Sequence, residues 1–198
     1  MQLIAGSEFL AWAAAHGIAR SVHWPNSEGL VFPHPADPPG VMYESWWGTW
    51  ALPADRAAIP QFVRQLLAAA APGQAVHVRP WRGWPTANDM ADDPIFWPTE
   101  AADLVAGWEL QPAGDAVVRF GAEEHQHVAQ LLEVCLAESA FNHLDVIPLD
   151  GRLVLSTCHD REVHADFPTR AARDAFDEAL RALGYWDAAE PTSGQGTA

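Results

Sequence analysis

The residue types best equipped for chemistry gather late in the chain: His143, Cys158, His159, Asp160, His164 and Asp166. Imidazole, thiolate and carboxylate are the ligands that zinc and its neighbours prefer. In the segment Arg161 to Phe167, Val163, Ala165 and Phe167 alternate with Glu162, His164 and Asp166. An extended strand therefore sets three polar side chains on one face, where His143 or His159 could join them around a metal. A half-solvated antiparallel sheet produces the same alternation with no ligand, so no metal ligand is assigned and no cofactor is expected. Cys158-His159-Asp160 has the composition of a thiol triad. Neighbours on an extended chain point apart, however, and a nucleophile must meet its base within hydrogen-bond reach. The tripeptide reads as a turn. His125-x-His127 fails in a similar way, since positions i and i+2 of a helix do not share a face. An enzyme, or the metal-binding remnant of one, centred on His143, His159, His164 and Asp166 remains the alternative functional reading.

No GxxxxGK[ST], GxGxxG, GxSxG, HExxH or paired CxxC occurs in the chain. That argues against nucleotide triphosphate, dinucleotide, serine hydrolase and zinc peptidase chemistry. No catalytic residue is assigned.

Features suited to recognition are denser. Between Trp84 and Val118 the chain carries Asp89, Asp92, Asp93, Glu100, Asp103, Glu109 and Asp115 with no base. Trp81, Trp84, Phe96, Trp97 and Trp108 interleave with these acids. Disordered acidic segments are poor in aromatics, so this one is expected to be ordered against something. In one reading the aromatics cap a sheet and the acids form a solvated face. In the other, Trp84, Asp89, Asp92, Asp93, Trp97, Glu100 and Asp103 form a surface for a basic protein. Aromatic anchors supply burial there, and complementary charge speeds encounter. The run Tyr43 to Trp50 is either a core strand or the wall of a groove that stacks sugar rings.

Composition favours the partner. The 198 residues carry 26 acids against 11 bases, a formal charge of −15. Such a field repels nucleic acid and anionic membrane and attracts basic proteins. All the bases are arginine, which together with abundant alanine suggests a GC-rich bacterial genome. Cys135 and Cys158 are too few for a disulfide framework, which fits a reducing cytoplasm. The first residues show no signal-like run and no stretch reaches membrane-spanning length. The expectation is a cytoplasmic protein that binds a basic protein, with inhibition of that partner as one outcome, as toxin-neutralising immunity proteins do. Its oligomeric state is left open.

The elements that must position these residues form an α+β pattern. Ser7 is a candidate N-cap for a helix closed by Gly17. Short apolar runs at Ser21–Trp24, Leu30–Phe32 and Val41–Trp50 read as strands, and a helix follows over 55–71. A second helix opens near Glu123. Two strands then meet at Asp150-Gly151, a strong hairpin signal; a third runs over 161–167, and a helix spans 169–183. Residues 1–73 and 122–186 thus share a helix, three strands and a helix. The expectation is antiparallel sheets with packed helices in two similar αβββα halves, which either an internal duplication or two independent modules of this common kind would give. Residues 74–121 would connect them through two strands and the acidic Trp-rich loop, and 187–198 would be a disordered tail.

Overall fold

A computed structural model describes residues 1–20, 29–33, 46–85, 97–138 and 143–186. The fold is α+β, with a seven-stranded, wholly antiparallel sheet, a separate two-stranded sheet and five helices among the described residues. The elements in chain order are β1 (Gln2–Ile4), α1 (Gly6–Ala15), β2 (Ala19–Arg20), β3 (Leu30–Val31), β4 (Trp47–Ala51) and α2 (Ile59–Ala70). They continue with β5 (Val76–Pro80), α3 (Thr99–Ala106), β6 (Val117–Phe120), α4 (His125–Ala137), β7 (Leu144–Pro148), β8 (Val154–Cys158), β9 (Glu162–Asp166) and α5 (Arg170–Ala182). The large sheet runs β1-β6-β5-β7-β8-β9-β4.

Local chemistry explains most boundaries. Asp55 accepts from the Ala57 amide at 3.0 Å and opens the 3₁₀ turn that leads into α2. Pro60 sits in the first turn of α2, where its missing N–H costs nothing. Thr169 caps α5 through the Ala172 amide at 3.2 Å. Gly17 takes φ +75° just past α1, and the Ile18 amide returns to the Ala13 carbonyl at 2.9 Å. Ser7, expected as the cap of that helix, lies inside it; the capping position belongs to Ala5, which makes no side-chain cap. Gly151 takes φ +64° in the loop between β7 and β8 and donates to Pro148 at 2.8 Å.

Among the described residues, 1–73 hold β1, α1, β2, β3, β4 and α2, whereas 122–186 hold α4, β7, β8, β9 and α5, so the first half carries a strand that the second lacks. Their strand order does not repeat. β7, β8 and β9 form a contiguous meander, whereas β2 and β3 pair only with each other and β4 joins the far edge beside β9. No duplication is visible in this arrangement. The segment 74–121 is also more than a connector, since β5 and β6 lie within the sheet and α3 occupies part of the expected irregular loop. Small buried faces, Ala101, Ala102 and Val105, dock α3. The run 21–24, the positions 41–45 and the tail 187–198 lie outside the described residues.

Register assigns the faces, because directly paired residues point the same way. One row reads Val118, Val78, Val146, Leu155, Ala165, Gly48 across six strands. With Val163 and Trp50 it meets Phe62, Leu66, Leu132, Leu136 and Phe176 in the main core. The alternation expected for β9 is realised: Val163, Ala165 and Phe167 are buried, and the Phe167 and Trp50 rings both contact Phe176. On the opposite face α1 and β3 seal a smaller cluster of Ile4, Phe9, Ile18, Leu30, Ile147 and Val154. Beyond its edge that face turns polar.

Candidate functional site

The polar stretch is a single register row. Arg79 of β5 stands beside Asp145 of β7, then Ser156 of β8, His164 of β9 and Thr49 of β4. Asp145 is fully buried and is the hub of this row. It accepts from Arg79 Nη1 at 3.2 Å, from Trp81 Nε1 at 2.7 Å and from Ser156 Oγ at 2.7 Å. Burial pushes its carboxyl upward, and Arg79, Trp81 and Ser156 oppose that shift. At the far end Thr49 Oγ1 lies 3.1 Å from His164 Nδ1, and the Trp47 ring stacks on the His164 imidazole at 4.9 Å. Trp50 points into the core while Trp47 lies against this face, so the Tyr43–Trp50 run continues past Trp46 as an ordinary two-sided strand.

Next to this row lies the reactive group. His143 immediately precedes β7, and its carbonyl accepts from the Trp81 amide at 2.9 Å. Cys158 ends β8. The chain then turns through His159 and Asp160 to Arg161, which adopts φ +62°. This turn brings the His159 ring back beside Cys158. Ligand atoms of His143, Cys158 and His159 all lie within 4.8 Å of one another. His143 Nε2 and His159 Nδ1 are 3.1 Å apart. Asp160 Oδ1 lies 3.7 Å from His159 Nε2, and Asp160 Oδ2 lies 3.7 Å from Cys158 Sγ. The Trp81 ring packs against His143 at 4.5 Å.

The electrostatics follow from this crowding. Burial lowers His143 to about 4, helped by His159, His164 and Arg82 and opposed by Asp160. Burial likewise lowers His164. The Cys158 thiol is pushed up by burial, with Asp160 and Glu162 adding to it. Burial thus favours a neutral His143 imidazole and a protonated Cys158 thiol.

The sequence reading is corrected here in two respects. Cys158-His159-Asp160 is a turn, as expected, but the turn gathers side chains instead of separating them. Asp166 does not join the histidines. It is buried and accepts from the Phe32 amide at 2.6 Å and the Phe167 amide at 3.1 Å, fastening the segment after β3.

The acidic, Trp-rich region divides differently. Trp84 and Trp97 are 2% and 6% exposed, which places them inside the core. Trp84 stacks on Trp97 at 6.1 Å, meets Trp108 edge-on at 5.7 Å, and Trp108 meets Phe120 at 5.3 Å. Their indole nitrogens donate inward as well, Trp84 to Ala116 at 2.7 Å and Trp97 to Gly83 at 3.1 Å. The aromatics cap the sheet. Glu100 and Asp103 are exposed on α3, along an open groove that is also lined by Leu104 and Trp108 and by His127, Gln130 and Val134 of α4. Asp89, Asp92 and Asp93 lie outside the described residues. No helix among the described residues is long and apolar enough to cross a membrane. Comparison with protein-family models, curated proteins and solved structures finds no match.

Proposed function

We propose that the protein is a stoichiometric binding protein that engages a basic protein partner, inhibiting it in the manner of an immunity protein. The observation that carries this reading is the α3–α4 groove. Exposed carboxylates of Glu100 and Asp103 line it together with the apolar Leu104, Trp108 and Val134. An apolar floor inside a charged rim is the anatomy of a recognition surface, in which the floor holds and the rim steers. The net charge of −15 extends that steering beyond the groove. Trp84 and Trp97 serve this surface from beneath, as the packed support of α3 and not as anchors. Asp89, Asp92 and Asp93 would add to the same field.

The test is capture of a basic protein from the source organism at low salt, followed by association kinetics with the purified pair. The double variant Glu100→Gln, Asp103→Asn should lower the on-rate several-fold and flatten its salt dependence. An unchanged on-rate removes this groove from recognition. A second reading, metal-dependent catalysis, is favoured by the convergence of His143, Cys158 and His159. It differs in outcome, because chelation would abolish turnover while leaving partner association intact.

A further inference from the structure

The basic-partner reading makes no use of the His143, Cys158 and His159 cluster, which lies on the sheet face opposite the main helical core. We propose that His143 Nε2, Cys158 Sγ and His159 Nδ1 form a binding site for one zinc-class divalent cation. The site would have three protein ligands and a fourth, exchangeable position.

Geometry is the first support. Two nitrogens bound to a tetrahedral zinc at about 2.0–2.1 Å each stand roughly 3.3 Å apart. His143 Nε2 and His159 Nδ1 are 3.1 Å apart, and the Cys158 donor completes a triangle with no side above 4.8 Å. A His–His hydrogen bond accounts for the short nitrogen distance alone. It gives no reason for the thiol to be drawn into the same triangle.

The scaffold is the second support. Each donor sits at a fixed point: His143 at the entrance to β7, held by the Trp81 amide; Cys158 at the end of β8, paired with Glu162. The Thr157 hydroxyl accepts from the Leu144 amide at 2.9 Å and locks the two strand ends together. His159 is delivered by the Arg161 turn at φ +62°, a conformation that a non-glycine residue adopts only when its surroundings impose it.

The third support is the outer layer. Histidines that bind metal through one nitrogen commonly present the other to a carboxylate, which fixes the ring and raises its basicity. Asp160 stands on the other side of the His159 ring, 3.7 Å from Nε2. The Trp81 ring covers His143, and Trp81 is itself tied to Asp145 at 2.7 Å. Two imidazoles with one thiolate match the borderline-soft preference of zinc, and they disfavour magnesium and calcium. On binding, the thiol gives up its proton to solvent and the imidazoles coordinate in their neutral form. Cation binding here requires neither catalysis nor the basic partner, so either can fail without the other.

The experiment is cobalt(II) and zinc(II) titration of the full-length chain after chelator treatment, with Cys135→Ala as a control that retains the site. Cys135 is buried on α4 in the helical core. The wild type and Cys135→Ala should take up one cobalt each and show a thiolate-to-cobalt charge-transfer band. Zinc should displace the cobalt stoichiometrically. Cys158→Ser should lose the band, and His143→Gln should weaken zinc binding at least tenfold with the circular dichroism spectrum retained. No charge-transfer band in the wild type, or a band that survives Cys158→Ser, overturns the proposal.

Discussion

The two faces of the large sheet are made by the same strands, yet they solve different problems. On the helical face the row Val118, Val78, Val146, Leu155, Ala165 and Gly48 has no polar side chain, and every neighbour is interchangeable in kind. On the other face the row one residue along reads Arg79, Asp145, Ser156, His164 and Thr49. Burial stabilises the first row through area, which is additive and tolerant. The second row is stable only if every buried donor and acceptor finds its partner, which makes it cooperative and intolerant. Buried ion pairs such as Arg79 and Asp145 commonly add no more stability than well-packed apolar residues of similar volume. Their presence points to positioning. Asp145 anchors Trp81 at 2.7 Å, and Trp81 covers His143.

The largest expected effect follows directly. Asp145→Ala leaves the Arg79 guanidinium, 4% exposed, without its carboxylate. Breaking a buried ion pair from one side costs about 3–5 kcal/mol, and urea unfolding should show it. The paired change Arg79→Met, Asp145→Leu should recover most of that loss. If the double variant is as unstable as the single one, the row is holding up the fold and the contrast between faces collapses.

On the helical face Phe176→Ala should cost about 3 kcal/mol, from lost transfer energy and the cavity left against Trp50 and Phe167. Denaturant unfolding at pH 7 and pH 5 should return the same difference, because nothing ionisable is exposed by the change. A loss below about 1 kcal/mol would mean that α5 does not pack as described.

The polar face, by contrast, should make stability depend on pH. His77, 4% exposed beneath the Phe9 and Trp12 rings, is lowered to about 4 by burial, by Arg119 on β6 and by His16 at the end of α1. Its neighbour on β7 is Ile147, which brings no compensating charge. The folded state therefore favours the neutral ring, and the unfolded chain binds the proton more readily. The contribution is fully present above pH 6.5 and is lost as pH falls towards 4. It amounts to about 3 kcal/mol. His77→Gln should flatten the stability profile over that window; an unchanged profile would show that the ring is solvated when folded.

How far all this was legible in the sequence depends on whether the signal was local. The α5 stripe, the Asp150-Gly151 hairpin and the two faces of β9 follow from spacing alone, and so they were readable. The pairing of β4 with β9 is a long-range choice that no local pattern encodes. Hence two halves with similar local patterns could look like a repeat although their strand pairing differs. Trp84 and Trp97 illustrate a second limit. Acids beside tryptophans suggest an outward surface, but burial depends on Trp108 of the same region and Phe120 of β6 folding against Trp84, contacts that residue spacing does not encode. The His143, Cys158 and His159 triangle was hidden for a third reason. Extended-chain geometry separates Cys158 from His159, and only the Arg161 turn at φ +62° reverses that.

The smallest effect is also the sharpest test of cooperativity on the polar face. Ser156 Oγ donates to Asp145 Oδ1 at 2.7 Å, one of three donors on that carboxylate. Ser156→Ala removes one hydrogen bond to a buried charge while Arg79 and Trp81 remain, so the expected loss is about 1–2 kcal/mol. The informative measurement is a cycle. In the Arg79→Met, Asp145→Leu background the hydroxyl has lost its charged acceptor, and Ser156→Ala should cost close to nothing or stabilise slightly. The difference between backgrounds is the coupling energy of the row, expected near 1 kcal/mol. A parallel cycle on the helical face, Phe176→Ala with Val128→Ala on α4, should be additive within about 0.5 kcal/mol if the two sites share no partner. Equal coupling on both faces would mean that the polar row behaves as ordinary packing, and the case for it as a positioning network beneath His143 would be lost.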